Sequence, residues 1–224
     1  MQQIPLAIGP EPLTSFDTFL AGPNAAPFEH LRALQVPSAP VYLWGSAGSG
    51  KTHLLRALAL EHQRRGHRVG WFDAGDAVPW PLVADWTLVV IDRCEALDDA
   101  AQHAAFTLFV EATVQGVQIA AAGRLPPVDL PLRDDLRTRL AWGHVFALQP
   151  LAEAETRAAL RREADRRGIF LSDEVMDHLL TRFERDLGCL MQLLDRLDRF
   201  SLSRSRAITV PLLRTMLAEE GVMP

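Results

Sequence analysis

Residues Gly45, Ser46, Ala47, Gly48, Ser49, Gly50, Lys51 and Thr52 reproduce the spacing GxxxxGK(S/T) in full. Glycines so placed let backbone amides turn inward on phosphate oxygens, and a helix starting at the end of the loop adds its partial positive charge. Lys51 is then placed to reach β- and γ-phosphates, and Thr52 to offer its hydroxyl to Mg2+. About 40 residues further on, Leu88, Val89, Val90, Ile91 and Asp92 form an apolar run closed by an acid. An aspartate at the exposed end of a buried strand is costly unless it serves a cation, so Thr52 and Asp92 form the candidate metal pair. Hydrolysis needs another acid to polarise the attacking water. The residue after Asp92 is instead Arg93, with Glu95 two positions beyond it. Binding of ADP or ATP with Mg2+ is therefore expected, and efficient self-hydrolysis is not.

A phosphate loop works only if a strand delivers the chain to it and a helix carries the chain away. Val41 to Trp44 is apolar and β-prone, and His53 to Arg65 reads as a helix that Gly66 can end. Val69 to Phe72 and Thr87 to Ile91 read as strands, the second with the unbroken apolar character of a strand buried on both faces. Ala100 to Thr113 predicts a helix turning Phe106, Phe109 and Val110 toward a core, and Val117 to Ala122 and His144 to Leu148 supply two more strands. This alternation predicts a three-layer α/β domain with a parallel sheet over residues 13–150. The pattern changes near Pro150. Ala152–Arg167, Ser172–Thr181, Leu187–Phe200 and Pro211–Glu219 all read as helices, with Gly168, Ser172 and Thr209 as end signals. Residues 151–224 are thus expected to form a small all-α domain, and residues 1–12, with Pro5, Pro10 and Pro12, a flexible tail.

Composition narrows the partners. A net charge of −5 argues against a large intrinsic surface for DNA or RNA. Two cysteines, Cys94 and Cys189, suggest no disulfide framework and fit a reducing compartment. No apolar run approaches a membrane span and no signal-peptide layout opens the chain, so a cytoplasmic protein without membrane contact is expected.

Several stretches together resemble the DnaA-related AAA+ family. They are GSAGSGKTHLL at 45–55, Ser15 to Gly22, and Leu136 to Gly143 (LRTRLAWG), within a likeness running over about residues 13–220. Gln149-Pro150-Leu151 and the Leu194 to Arg199 helix are similar to the family's lid region. The helix-turn-helix DNA-binding domain of the initiator DnaA is not expected here, so the resemblance is to the regulators that inactivate DnaA. It implies an AAA+ fold with a helical lid, an adenine nucleotide, DnaA as partner, and Arg139 as an arginine finger offered to the nucleotide of a neighbouring subunit. It also implies that Gln3, Ile4, Leu6 and Ile8 dock on the DNA polymerase III sliding clamp (its beta subunit), with DNA reached only through the clamp. A short peptide with alternating apolar anchors suits a preformed groove, and Pro5 lowers the entropy lost on ordering it. Self-association is left open. The family's polar sensor position falls at Gly123 or Arg124, and its lid arginine aligns with Gly188. With Arg93, these departures imply nucleotide held more as a structural ligand than as fuel. Two other readings compete: an active ATPase such as a helicase loader, and a non-enzymatic DnaA-binding adaptor.

Overall fold

The computed structural model describes residues 14–183 and 187–220. They divide into two compact units meeting in sequence between Pro150 and Leu151. The first contains α1 (Ala25–Arg32), β1 (Val41–Trp44), α2 (Lys51–Arg64), β2 (Arg68–Phe72), β3 (Trp86–Ile91), α3 (Asp99–Val114), β4 (Gln118–Gly123), α4 (Asp134–Leu140) and β5 (His144–Ala147). Its five strands form one parallel sheet in the order β2-β3-β4-β1-β5.

Strand parity builds the three layers. Successive side chains leave a strand on opposite faces, so Val41, Leu43, Leu88, Val90, Ala120 and Ala122 share a core with Leu31 of α1 and Leu54, Leu55 and Leu58 of α2. Tyr42, Val89, Ile91, Ile119 and Ala121 face the other way, against Leu108 and Phe109 of α3 and Leu136 and Leu140 of α4. Leu88 to Ile91 are at most 1% exposed, as a strand covered on both faces demands. β5 stands at the sheet edge and is mostly exposed.

The sequence reading needs four corrections here. In α3 the buried stripe is Ala101, Ala104, Ala105, Leu108, Phe109 and Ala112; Phe106 packs against this core as expected, though partly buried, while Val110 stays outside it. Small alanines, which carry little hydropathy signal, do the facing. Helix α1 was not anticipated from the sequence; its Pro27 lies in the first turn, where a missing N–H costs nothing. Helix α4 buries only Leu136 and Leu140 over 7 residues, too short a stretch to show a period. Asp92, expected at an exposed strand end, is 3% exposed.

The second unit contains α5 (Glu153–Arg166), α6 (Asp173–Arg182), α7 (Leu187–Arg204) and α8 (Val210–Glu219). Leu160, Leu179, Leu190, Leu194, Leu213 and Met216 meet in its core. The expected caps are present: Ser172 accepts from the Val175 amide and Thr209 from the Leu212 amide, each at 3.3 Å. Gly168, at φ +70, ends α5 in the left-handed conformation that favours glycine. Arg167 ties α5 to α7 by pairing with both Glu163 and Asp195. Helix α7 runs four residues beyond its expected end at Phe200.

Candidate functional site

The phosphate loop joins β1 to α2, so the strand delivers Gly45 and the helix leaves from Lys51. Two of its glycines are forced. At Gly45, φ is +153 and a Cβ would lie 2.2 Å from the Leu148 carbonyl oxygen. At Gly50, φ is +96 and a Cβ would lie 2.7 Å from the Phe19 ring. The Lys51 ammonium donates to the Gly45 and Ser46 carbonyls, both at 2.7 Å, and reaches Ser49 Oγ at 3.3 Å. The cation therefore sits at the mouth of the loop, beside the start of a 14-residue helix.

Asp92 follows β3 and is pinned on both carboxylate oxygens. Oδ2 accepts from Thr52 Oγ1 at 2.7 Å, and Oδ1 accepts from the Arg93 amide at 2.9 Å. The structure thus brings Gly45, Ser46, Ala47, Gly48, Ser49, Gly50, Lys51, Thr52 and Asp92 to one place. An ammonium at the mouth of the glycine loop, and a hydroxyl and carboxylate 2.7 Å apart, fit a phosphate chain carrying a hard divalent cation. No group of three or more His, Cys, Asp or Glu able to hold a metal occurs among the described residues. A cation held by Thr52 and Asp92 would accordingly need phosphate oxygens and water to complete its shell.

The neighbouring strand ends carry arginines engaged with acids. Arg93, at φ +52, pairs with Asp73 just past β2. Glu95 accepts from the Arg124 amide at 3.1 Å, and the Arg124 guanidinium lies 3.2 Å from its other oxygen. The acid beyond Arg93 is thus held by the residue that follows β4.

Sequence reasoning assigned no role to the aromatic packing behind the loop. Phe19 stacks on Phe28 at 5.6 Å and meets His53 edge-on at 5.3 Å, with Phe16 edge-on to Phe28 at 5.9 Å. His53 lies 3.0 Å from the Ser15 carbonyl, and its burial lowers its pKa, favouring the neutral ring. Asn24, 2% exposed, brackets Gln149 by accepting from its amide and donating to its carbonyl, both at 2.8 Å. The phenylalanines at 16, 19 and 28 were a signal, but spacing alone did not show that they pack on one another and, through Phe19, on His53 of α2.

Arg139 stands in the last turn of α4, which packs on the α3 face of the sheet, whereas the phosphate loop opens α2 on the other face. Its guanidinium carbon lies 6.0 Å from the Trp142 ring centroid. Arg133 and Arg137 of the same segment pair with Asp135 and Asp134. Among the described residues, no carboxylate pairs with Arg139. Gly188 is the second residue of α7. Gln3, Ile4, Leu6 and Ile8 lie outside the described residues.

Residues 153–217 match the family described as Hda, lid domain. The whole fold is similar to domain III of the Thermotoga maritima replication initiation protein DnaA, with a TM-score of 0.74 and 20% identity, covering 96% of this chain and 99% of that one. AMPPCP-bound DnaA from Aquifex aeolicus gives 0.66 and 21%, covering 84% and 66%. The Thermotoga maritima Holliday junction branch migration motor RuvB gives 0.59 and 16%, covering 85% and 64%. At these identities the likeness to solved structures is one of fold, and the lid match narrows it. A stretch matching the Hda lid thus follows a phosphate-loop fold like that of DnaA domain III, and in this combination the chain is similar to the Hda/DnaA-related AAA+ proteins.

Proposed function

We propose that this protein is a negative regulator of replication initiation that holds an adenine nucleotide in its own loop and stimulates hydrolysis of the ATP bound to DnaA. The observation that carries the reading is the contrast along residues 133–139, where Arg133 and Arg137 are held by aspartates and Arg139 has no carboxylate partner among the described residues. A guanidinium with its donor fork uncommitted to an acid can stabilise the charge spreading over a transferring phosphoryl group in another subunit. Supplied in trans, that is worth roughly 10³–10⁵ in rate. In its own site, Lys51 would hold β- and γ-phosphates, and Thr52 and Asp92 would hold Mg2+, which neutralises developing phosphate charge when bound. Arg93, standing where a second acid would polarise water, keeps that site slow. The same tail-to-clamp reading applies as in the sequence: Gln3, Ile4, Leu6 and Ile8 would anchor the protein to the sliding clamp on DNA, bringing it to DnaA.

The test is hydrolysis of labelled ATP–DnaA with this protein and DNA-loaded clamp, each omitted in turn. Conversion to ADP–DnaA is expected only when all are present. Equal conversion without this protein would end the regulatory reading.

Changing Gln3, Leu6 and Ile8 together to alanine is expected to abolish clamp retention in a pull-down while leaving the melting temperature and nucleotide affinity unchanged. In sequence, these residues precede every residue of the cores formed by the described residues. Undiminished clamp retention would place the docking surface elsewhere.

A further inference from the structure

Trp142 is a large aromatic side chain left 59% exposed immediately after α4. Its placement is nevertheless fixed. The Trp142 amide donates to the Arg139 carbonyl at 3.2 Å, so the ring is tied to the turn that carries the arginine. On its other side, Gly143 lies so close to the loop before β1 that a Cβ there would sit 1.9 Å from the Pro40 carbonyl oxygen. The next residue, His144, donates its amide to that same oxygen at 2.8 Å. The backbone beneath the indole is thus clamped on both sides, and the Arg139 guanidinium lies 6.0 Å from the ring centroid.

An arginine that must meet a phosphate has two requirements in conflict. It must be restrained, because a long side chain loses conformational freedom on engaging its target. It must also keep its charge and its N–H donors available. A carboxylate partner meets the first and defeats the second, which is the state of Arg133 and Arg137. An aromatic face holds the cation through the ring quadrupole without neutralising it or occupying its donors. From this geometry we propose that Trp142 is the positioning residue for Arg139, holding the guanidinium forward while leaving its donor fork uncommitted. The proposal rests on the finger reading of Arg139.

The experiment is single-turnover hydrolysis of ATP–DnaA on DNA-loaded clamp with wild-type protein, Trp142→Ala, Trp142→Phe, Arg139→Ala and the Arg139→Ala/Trp142→Ala double variant, each titrated to saturation. Trp142→Ala is expected to lower the maximal rate by about two- to fivefold, the size of an exposed cation–π contact. Its half-saturating concentration and melting temperature should stay at wild-type values. Trp142→Phe should recover most of the rate, and adding Trp142→Ala to Arg139→Ala should change nothing further. A Trp142→Ala protein with a normal maximal rate overturns the proposal. So does one whose only defect is a raised half-saturating concentration, which would make Trp142 a docking contact. A phenylalanine variant no better than alanine, or a further loss in the double variant, also overturns it. An impaired Arg139→Ala beside an unimpaired Trp142→Ala sinks this proposal alone, whereas a normal Arg139→Ala sinks the finger reading and takes the proposal with it.

Discussion

Lys51→Ala is expected to weaken adenine-nucleotide binding at least about thirtyfold while leaving the protein folded. The magnitude follows from removing the cationic partner of a charged group in a confined site, which costs roughly 2–5 kcal/mol. The fold should survive because Lys51 contributes no side chain to either sheet core. Its ammonium donates to oxygens of its own loop, the carbonyls of Gly45 and Ser46 and the hydroxyl of Ser49. Calorimetric titration with ATP and with ADP measures the loss, and the thermal melt of nucleotide-free protein checks the fold. Retention of either nucleotide at wild-type affinity would remove the loop from the mechanism. The wild-type protein in the same titration should turn nucleotide over more slowly than about 1 s⁻¹, below the ordinary range for enzymes. Arg93 is the reason, since it is paired with Asp73 where an acid would be needed. Glu95 cannot simply replace that acid while Arg124 engages both of its oxygens.

Legibility in the sequence followed the range of the interaction. The β3 run and the glycine loop were readable because their cause is local: an unbroken apolar stretch can only be covered on both faces, and the glycine spacing reflects close approach of backbone. Ser172, Thr209 and Gly168 were readable for the same reason, since a cap and a left-handed residue act within one turn. Val110 was misread because alanines at 101, 104, 105 and 112 supply the buried face through fit, with little hydropathy to announce them. What spacing could not carry was pairing across distance. Gly50 needs to be glycine partly because Phe19 lies over it, 31 positions earlier in the chain. Asn24 is buried because Gln149, at the other end of the unit, satisfies both ends of its amide. Within 133–139, the arginines are indistinguishable by type; the family resemblance singled out Arg139, and the pairing of Arg137 with Asp134 and of Arg133 with Asp135 is the separation that the structure adds.

That separation sets the largest expected effect. Arg139→Ala should reduce stimulated hydrolysis of DnaA-bound ATP by about 10³-fold or more, the range seen when a trans arginine is removed from phosphoryl transfer. Its own nucleotide affinity, clamp retention and melting temperature should not change. Half-buried and without a carboxylate partner among the described residues, Arg139 leaves no orphaned acid behind when it is removed. Its aromatic contact with Trp142 is surface-exposed and adds little to stability. Arg139→Lys should recover only a small part of the rate, because an ammonium keeps the charge but not the planar fork that spans phosphoryl oxygens. The lysine variant therefore separates charge from geometry: full rescue would mean that a positive field suffices, and no rescue that the forked donors carry the effect. A wild-type rate from Arg139→Ala would mean that the regulator acts by reshaping the partner's own site. The uncommitted guanidinium would then be a surface charge, and the non-enzymatic adaptor reading would take precedence.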